Sequence, residues 1–386
     1  MDEIVLHHDW SDLDPRDWDR CCGDEAESGA YYAATHARAE QGALALSVRR
    51  AGRVIAVAPL FTLSYRLDTS LQGSLRHLTN QIARLHDGLL RLDVIGFGSS
   101  LAERCHIGFD PSLSAQEKAV VFTAMVVHLR AYADDHKIGL VVVKDLAAPE
   151  HDLLAPVLTA RGFAEVASLP VAVLDLPATE DAWLSQLSSA TRKDIKRKLK
   201  GSAQVQVERV QTLTDELAQE IQALYEQTRA QSAFDYDDLE TLPDDYFKAV
   251  SQALAGRAHF MLYRIDGELA AFNLLFAEPN RIIDKFLGMR YPLARQHDLY
   301  AVSWVHNMRF GWQQGARLLQ TGQTAYAAKL RYGSRLVPSF IYFKHRFGVV
   351  TWVLRLLAPL LAFDRQDPDL QAYRKRQKKR ETETAS

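Results

Sequence analysis

Cysteine is scarce in this chain of 386 residues: only Cys21, Cys22 and Cys105 occur, two of them adjacent. That number and spacing exclude a disulfide framework and a structural zinc site. No Ser-His-Asp set is recognisable and the histidines are scattered, with His7 and His8 near the terminus, so no metal site is expected. An excess of one charge is missing too. The formal net charge is −2, which argues against general nucleic-acid binding. Met1-Asp2-Glu3 has neither the basic nor the apolar region of a signal peptide, so a reducing cytoplasm is the expected compartment. What is present, 47% hydrophobic and 24% charged residues, is ordinary for a soluble globular protein, and the length exceeds what one core usually holds. Two domains are expected.

The chain repeats itself. Leu46 to Ala56 around Gly52 and Met261 to Ala271 around Gly267 each read as an apolar strand, a short turn with glycine, and a second apolar strand. That is the signature of a β-hairpin, with glycine supplying positive φ. Both hairpins are followed by an apolar-periodic helix, a strand, a shorter helix ending in glycine, and a strand with a central proline: Gly162 to Pro170 in one copy, Gly333 to Pro338 in the other. Two hairpins with the same sequel predict a duplicated α/β domain. Residues 66 to 112 are an extra in the first copy, with a helix near Ser74 to Leu85 and a strand near Leu92 to Phe97. A helix from Ser114 to Asp134 places Val120, Val121, Ala124, Val127 and Leu129 on or near one stripe. In the second copy Asp298 is expected to cap a helix to Gln314, Thr324 to cap a short helix to Tyr332, and Leu336 to Phe343 to form the final strand.

This order of elements resembles the GNAT acyltransferase fold, and its tandem arrangement resembles the FemAB-like branch, which includes peptidoglycan aminoacyl transferases and the BioF2-like acetyltransferase group. The resemblance covers most of residues 30 to 345 and is strongest at Leu187 to Arg192, at the hairpin of Gly267, and from Gly315 to Gly333. There a strand, a glycine turn and a helix bearing a lysine before a glycine match as Gly322, Lys329 and Gly333; Ala328 stands where the family usually has an aromatic. The implied fold class is α/β (α+β), two tandem GNAT-like domains, each a mixed, mostly antiparallel sheet flanked by helices. The division is 1–176, 177–346 as the catalytic domain, and 347–386 as an apolar helix with a basic tail.

Acyl transfer to an amine requires a proton acceptor, stabilisation of the tetrahedral oxyanion, and a held or protonated leaving group. The resemblance places the thioester where the strand Arg281 to Met289 splays from its neighbour. Asp284 and Lys285 interrupt that apolar run; ionised residues are rarely buried without partners. Asp284 is either a base or amine anchor, or a member of an ion pair. Lys329 is expected to face the reacting carbonyl or a phosphate, and Tyr326 to protonate a leaving thiolate; both also read as ordinary packed or solvated residues. Arg192, Asn273, Lys285, Gln320 and Gln323 are candidate substrate-binding residues, and the resemblance implies that Asp284, Gln320, Tyr326 and Lys329 line one cavity. The segment Arg290 to Leu299 lacks the glycines that let main-chain N–H groups hold a pyrophosphate, leaving Arg290, Arg295 and His297 as candidate side-chain ligands for the coenzyme. No permanently bound cofactor is expected, acyl-CoA being a co-substrate.

Six basic residues lie between Arg192 and Lys200, by default a solvated helix face. Phe347 to Phe363 is apolar nearly all round and slightly short of the ~20 residues that span a bilayer, with a basic cluster from Arg374 to Arg380 beyond it. Contact with an anionic membrane face, or packing on the protein or a partner, are the two readings. The expected activity is N-acylation by acyl-CoA of an amine, with a long-chain amine as in bacterial ceramide synthases for one version. The alternatives are a FemAB-like aminoacyl-tRNA-dependent transferase and a non-catalytic scaffold in envelope assembly. The expected location is the cytoplasm, peripheral on the inner membrane if the tail binds lipid.

Overall fold

The computed structural model describes residues 2–36, 44–66, 91–231 and 242–385; the helix expected near Ser74 to Leu85 lies outside them. The first half supplies β1 (Glu3–His7), β2 (Ala45–Arg50), β3 (Arg53–Arg66), β4 (Arg91–Phe97), β5 (Gly108–Phe109), β6 (Leu140–Ala147), β7 (Ala164–Ala167) and β8 (Val171–Asp175). The second supplies β9 (Gln206–Val210), β10 (Ala258–Ile265), β11 (Glu268–Ala277), β12 (Arg281–Met289), β13 (Leu318–Gly322), β14 (Arg335–Val337) and β15 (Ser339–His345).

The duplication extends to the register. Ala51 and Gly52 turn with φ of 50° and 80°, Asp266 and Gly267 with 50° and 84°. Two successive left-handed residues are what a type I′ hairpin turn requires. In each hairpin the pairing then jumps at the third residue past the glycine, from Arg49↔Val54 to Val48↔Ala56 and from Arg264↔Leu269 to Tyr263↔Ala271. Both copies thus carry the same bulge, which sharpens the twist of the hairpin as it enters the sheet.

The two sheets run β1-β2-β3-β4-β6-β15-β7, with β5 also on β3, and β9-β10-β11-β12-β13-β8-β14. They correspond strand for strand, including one parallel pair at the same place, β4 with β6 and β12 with β13. The halves exchange their last strands. β8 enters the second sheet between β13 and β14, and β15 enters the first between β6 and β7. Pro170 and Pro338 stand at the two crossings. Proline cannot donate to a ladder, so each strand ends there and the next begins in the other sheet. The final strand expected from Leu336 to Phe343 is therefore two strands in different sheets. The cut at residue 176 separates two repeats but not two sheets.

Helix ends mostly follow the side-chain signals. Ser114 and Glu117 form a capping box at the helix Ala115–Asp135, and Thr179, Ser188 and Thr214 each cap the helix that follows. The buried face of Ala115–Asp135 is Val121, Phe122, Met125, Val126 and Leu129, whereas Val120 and Val127 are exposed. Apolar residues on both sides of the stripe hid its true direction. Asp298 precedes the helix Leu299–Gln313 but does not cap it; the residue is left-handed and its carboxylate faces Lys198 at 3.6 Å and Arg197 at 3.9 Å. Thr324 does not cap either, being itself left-handed, with Ala325 between it and the helix Tyr326–Arg331.

One core is shared between the halves. Trp10, Trp18, Tyr31 and Tyr32 pack with Tyr246, Phe247, Phe260 and Phe272, and the Tyr31 and Tyr246 hydroxyls bond at 3.0 Å. Each such side chain contributes about 1.5–3 kcal/mol when fully buried. With strands exchanged and a core in common, heating should give one cooperative transition whose calorimetric and van't Hoff enthalpies agree. Two resolved transitions would contradict this interlock.

Candidate active site

β12 and β13 pair only from Arg281–Ile283 to Leu318–Gln320. Beyond that the two strands part, while β12 continues to Met289. At the parting β12 bulges: Leu275 opposes Asp284 and Leu274 opposes Phe286, leaving Lys285 unpaired. The bulge puts Asp284 and Lys285 in different surroundings.

Asp284 accepts from Asn273 Nδ2 at 2.8 Å and from Asn307 Nδ2 at 3.0 Å. An ionised carboxylate offers only acceptors, which fixes both amides with their nitrogens inward. Their carbonyl oxygens, Asn273 Oδ1 and Asn307 Oδ1, are buried without a hydrogen-bond partner among the described residues. Burial pushes the Asp284 carboxyl up to about 7, outweighing the two amide donors and the Lys329 charge, with Glu103 adding to the rise.

Lys329 lies on the helix Tyr326–Arg331 with its side chain buried, and Nζ donates to Gln323 O at 2.7 Å. Burial pulls its ammonium down to about 8 against the opposing pull of Glu103 and Asp284. Glu103 comes from the first half, in the loop between β4 and β5. It accepts from Gln320 Nε2 at 3.0 Å and from Gln323 N at 3.3 Å. Gly322, at φ 75°, lets the chain pass this carboxylate; any side chain there would run into Glu103. Gln320 bridges on to Arg281 Nη1 at 3.3 Å, and Gln323 Nε2 donates to Leu169 O at 2.8 Å.

Lys285 is tied down rather than poised. It forms a buried ion pair with Glu27 and donates to Leu101 O. Beside it Glu25 meets Arg281 at 2.7 Å and Arg104 at 3.3 Å. Burial alone would raise the Glu25 carboxyl, but His106, Arg281 and Arg104 outweigh it and hold it below the carboxylate range. This network locks the first half onto the edge of the site.

Between the halves lies a cavity of about 500 Å³, within the range of small-molecule sites. Its walls are apolar, with Phe61, Val94, Leu140, Val142 and Phe343 from the first sheet and Tyr225 and Phe286 from the second half. Its polar end holds Glu103, Lys144, Asp145, Ser168, Lys285 and Gln323. Asp284, Gln320, Tyr326 and Lys329, expected to line one cavity together, do not line this one. Gln320 and Lys329 contact the lining residues Glu103 and Gln323, whereas Asp284 contacts Asn273 and Asn307, which do not line the cavity.

Other expected roles change. The Tyr326 hydroxyl donates to Pro170 O at 2.7 Å, and its ring packs with Leu169, Ala172 and Leu370. That proton is committed to the backbone at a strand crossing, not to a leaving group. Arg192 donates to Leu187 O at 3.3 Å, within its own helix start. The three residues expected to hold a pyrophosphate form no common cradle. Arg290 bonds Leu269 O and faces Glu268 at 3.1 Å, Arg295 lies 5.1 Å above the Tyr291 ring, and His297 pairs with Gln204 at 2.7 Å. The Asp298 carboxylate at the start of the next helix further disfavours an anion there. Glu103, Asn307, Glu25 and Glu27 were not singled out in the sequence; no local pattern distinguishes them from surface residues.

Residues 189–330 match the family described as Acetyltransferase (GNAT) domain. Over 110 residues the chain is 28% identical to a candidate 8-amino-7-oxononanoate synthase 2 of Mycobacterium tuberculosis (strain CDC 1551 / Oshkosh); the match covers 28% of this chain and 14% of that protein. The crystal structure of FemX superimposes with a TM-score of 0.53 at 12% identity, covering 81% of this chain and 90% of that one. The C-terminal domain of a candidate lysylphosphatidylglycerol synthetase from Agrobacterium fabrum gives a TM-score of 0.54 at 12% identity, covering 90% and 96%. These two likenesses are of fold. Residues 189–330 thus match the GNAT acetyltransferase domain family, and this stretch is interlocked by strand exchange with a second half of the same topology.

Proposed function

We propose that the protein moves an apolar acyl group from acyl-CoA to a primary amine, with the acyl chain in the cavity between the halves. The amine nitrogen attacks the thioester carbonyl carbon, the C–S bond breaks, and the products are an amide and free thiol. Asp284 takes the proton from the amine. The Lys329 ammonium faces the developing oxyanion and returns a proton to the departing sulfur. The observation that carries this reading is the proximity, where β12 and β13 part, of a half-buried carboxyl near 7 and a buried ammonium near 8 that feel each other's charge, close to an apolar cavity. The Asp284 carboxylate with two unpartnered amide oxygens offers acceptors suited to an amine.

An apolar cavity of this size favours long substrates, a long-chain amine such as a sphingoid base among them. An aminoacyl-tRNA donor would require many phosphate contacts. In the basic helix Ser189–Gly201, Arg197 and Lys198 are already engaged by Asp194 and Asp298. A scaffold without catalysis would leave the half-buried carboxyl of Asp284 and the buried ammonium of Lys329 without a use.

Chain length tests the reading. Each buried methylene contributes about 0.8 kcal/mol, so four should raise kcat/KM by about 10²-fold from short to long acyl-CoA. Val142→Trp, which narrows the cavity wall, should erase that gain and leave the short donor unaffected. A flat profile in the unaltered protein would remove the cavity from the reaction.

A further inference from the structure

We propose that the helix Gly348–Leu361 lies on an anionic lipid surface and forms the wall across which a long-chain substrate passes between that surface and the cavity. The passage rests on the acyl-transfer reading above; the docking does not.

The helix has two apolar faces with different fates. Leu354 and Ala358 are buried against the first sheet, in a cluster with Phe61, Val94, Leu140 and Phe343, and they line the cavity. On the other face Val349, Trp352 and Leu356 are 75%, 61% and 58% exposed, joined by Phe347, Val353 and Leu357. So contiguous an exposed apolar patch marks a contact surface. One helix thickness separates the cavity from that patch.

Charge selects the occupant. No Asp or Glu occurs from Leu299 to Phe363. The polar residues flanking the patch are cationic: Arg346, over the Phe347 ring at 5.1 Å, and Arg355, one turn from Trp352, both exposed. Farther along, the helix Pro368–Ala385 exposes Lys375, Arg376 and Lys378. An apolar face flanked along its own helix by Arg346 and Arg355, with tryptophan at its centre, suits the boundary between acyl chains and anionic headgroups. Among the described residues no helix is long and apolar enough to cross a membrane, so this one lies along the surface.

Flotation of the full chain with vesicles tests the proposal. The protein should float with equimolar phosphatidylglycerol and phosphatidylcholine, less with phosphatidylcholine alone, and be partly released by about 0.5 M salt. The triple variant Val349→Ser, Trp352→Ser, Leu356→Ser should lower the bound fraction about tenfold with an unchanged melting curve, since these side chains are exposed. Turnover of a short soluble acyl-CoA without vesicles should be the same in both proteins. Failure of the unaltered protein to float, or equal flotation of the variant, overturns the docking. So does a dimer that the triple substitution converts to a monomer while neither protein floats, because the face then joins two copies of the chain. If flotation behaves as expected but neither protein turns over any donor, the docking stands and the acyl-transfer reading falls.

Discussion

Asp284→Asn should lower kcat by about 10²–10⁴-fold while the protein stays folded. The substitution preserves shape and keeps a hydrogen-bonding group between Asn273 and Asn307, but it removes the proton acceptor. The folded protein should also become more stable above neutral pH. The carboxyl titrates at 3.8 in the unfolded chain and near 7 in the folded one, so folding favours its protonated form. That contribution is full below pH 3.8 and lost as pH rises through about 7; at pH 8 the difference is on the order of a few kcal/mol. Asparagine has no such loss. A variant that is slower and, at pH 8, harder to melt than the parent is the expected pattern of a group held for chemistry. Near-normal turnover would return Asp284 to a structural role.

Lys329→Met should lower kcat by about 10²–10³-fold, the effect of removing one preorganised oxyanion partner. Its stability effect should be small. The ammonium is at 10.5 in the unfolded chain and about 8 in the fold, so between these values stability rises with pH and below them the buried charge is a burden that methionine relieves. Against this, Gln323 O loses its donor, about 1–3 kcal/mol for a buried acceptor left alone. The unaltered protein should show a narrow bell in kcat/KM, rising near pH 7 as the carboxyl ionises and falling near 8 as the ammonium loses its proton. Because the two groups interact, these limbs belong to the pair. Asp284→Asn should remove the rising limb and Lys329→Met the falling one from whatever activity is left. A bell unchanged in both variants would assign the two titrations elsewhere.

The hairpins were legible because their information is local: a glycine at the second turn position and apolar runs on each side suffice for a type I′ turn. The strand exchange was not. Pro170 and Pro338 announce that a strand stops, yet Val171–Asp175 and Ser339–His345 are both apolar enough for either sheet, and only the whole fold decides. The site divides the same way. Asp284 and Lys329 stand out as an ion in an apolar run and a lysine in a family pattern. Glu103 does not, because its meaning comes from Gln320, 217 positions away. Of the two readings open for Tyr326, helical spacing could not decide, because it places the residue beside Lys329 but says nothing of Pro170, whose carbonyl accepts its hydrogen bond. Arg290 and Arg295 could not be resolved from sequence because a loop cation looks the same whether it awaits a phosphate or holds Glu268 or a tyrosine ring.

Release of free thiol from a long-chain acyl-CoA, followed with and without a long-chain primary amine and matched to the mass of the amide formed, tests the central claim most directly. Thiol release should require the amine, equal the amide formed mole for mole, and be nearly abolished by Asp284→Asn. Absence of thiol release from every acyl-CoA, together with RNase-sensitive transfer from aminoacyl-tRNA, would contradict it.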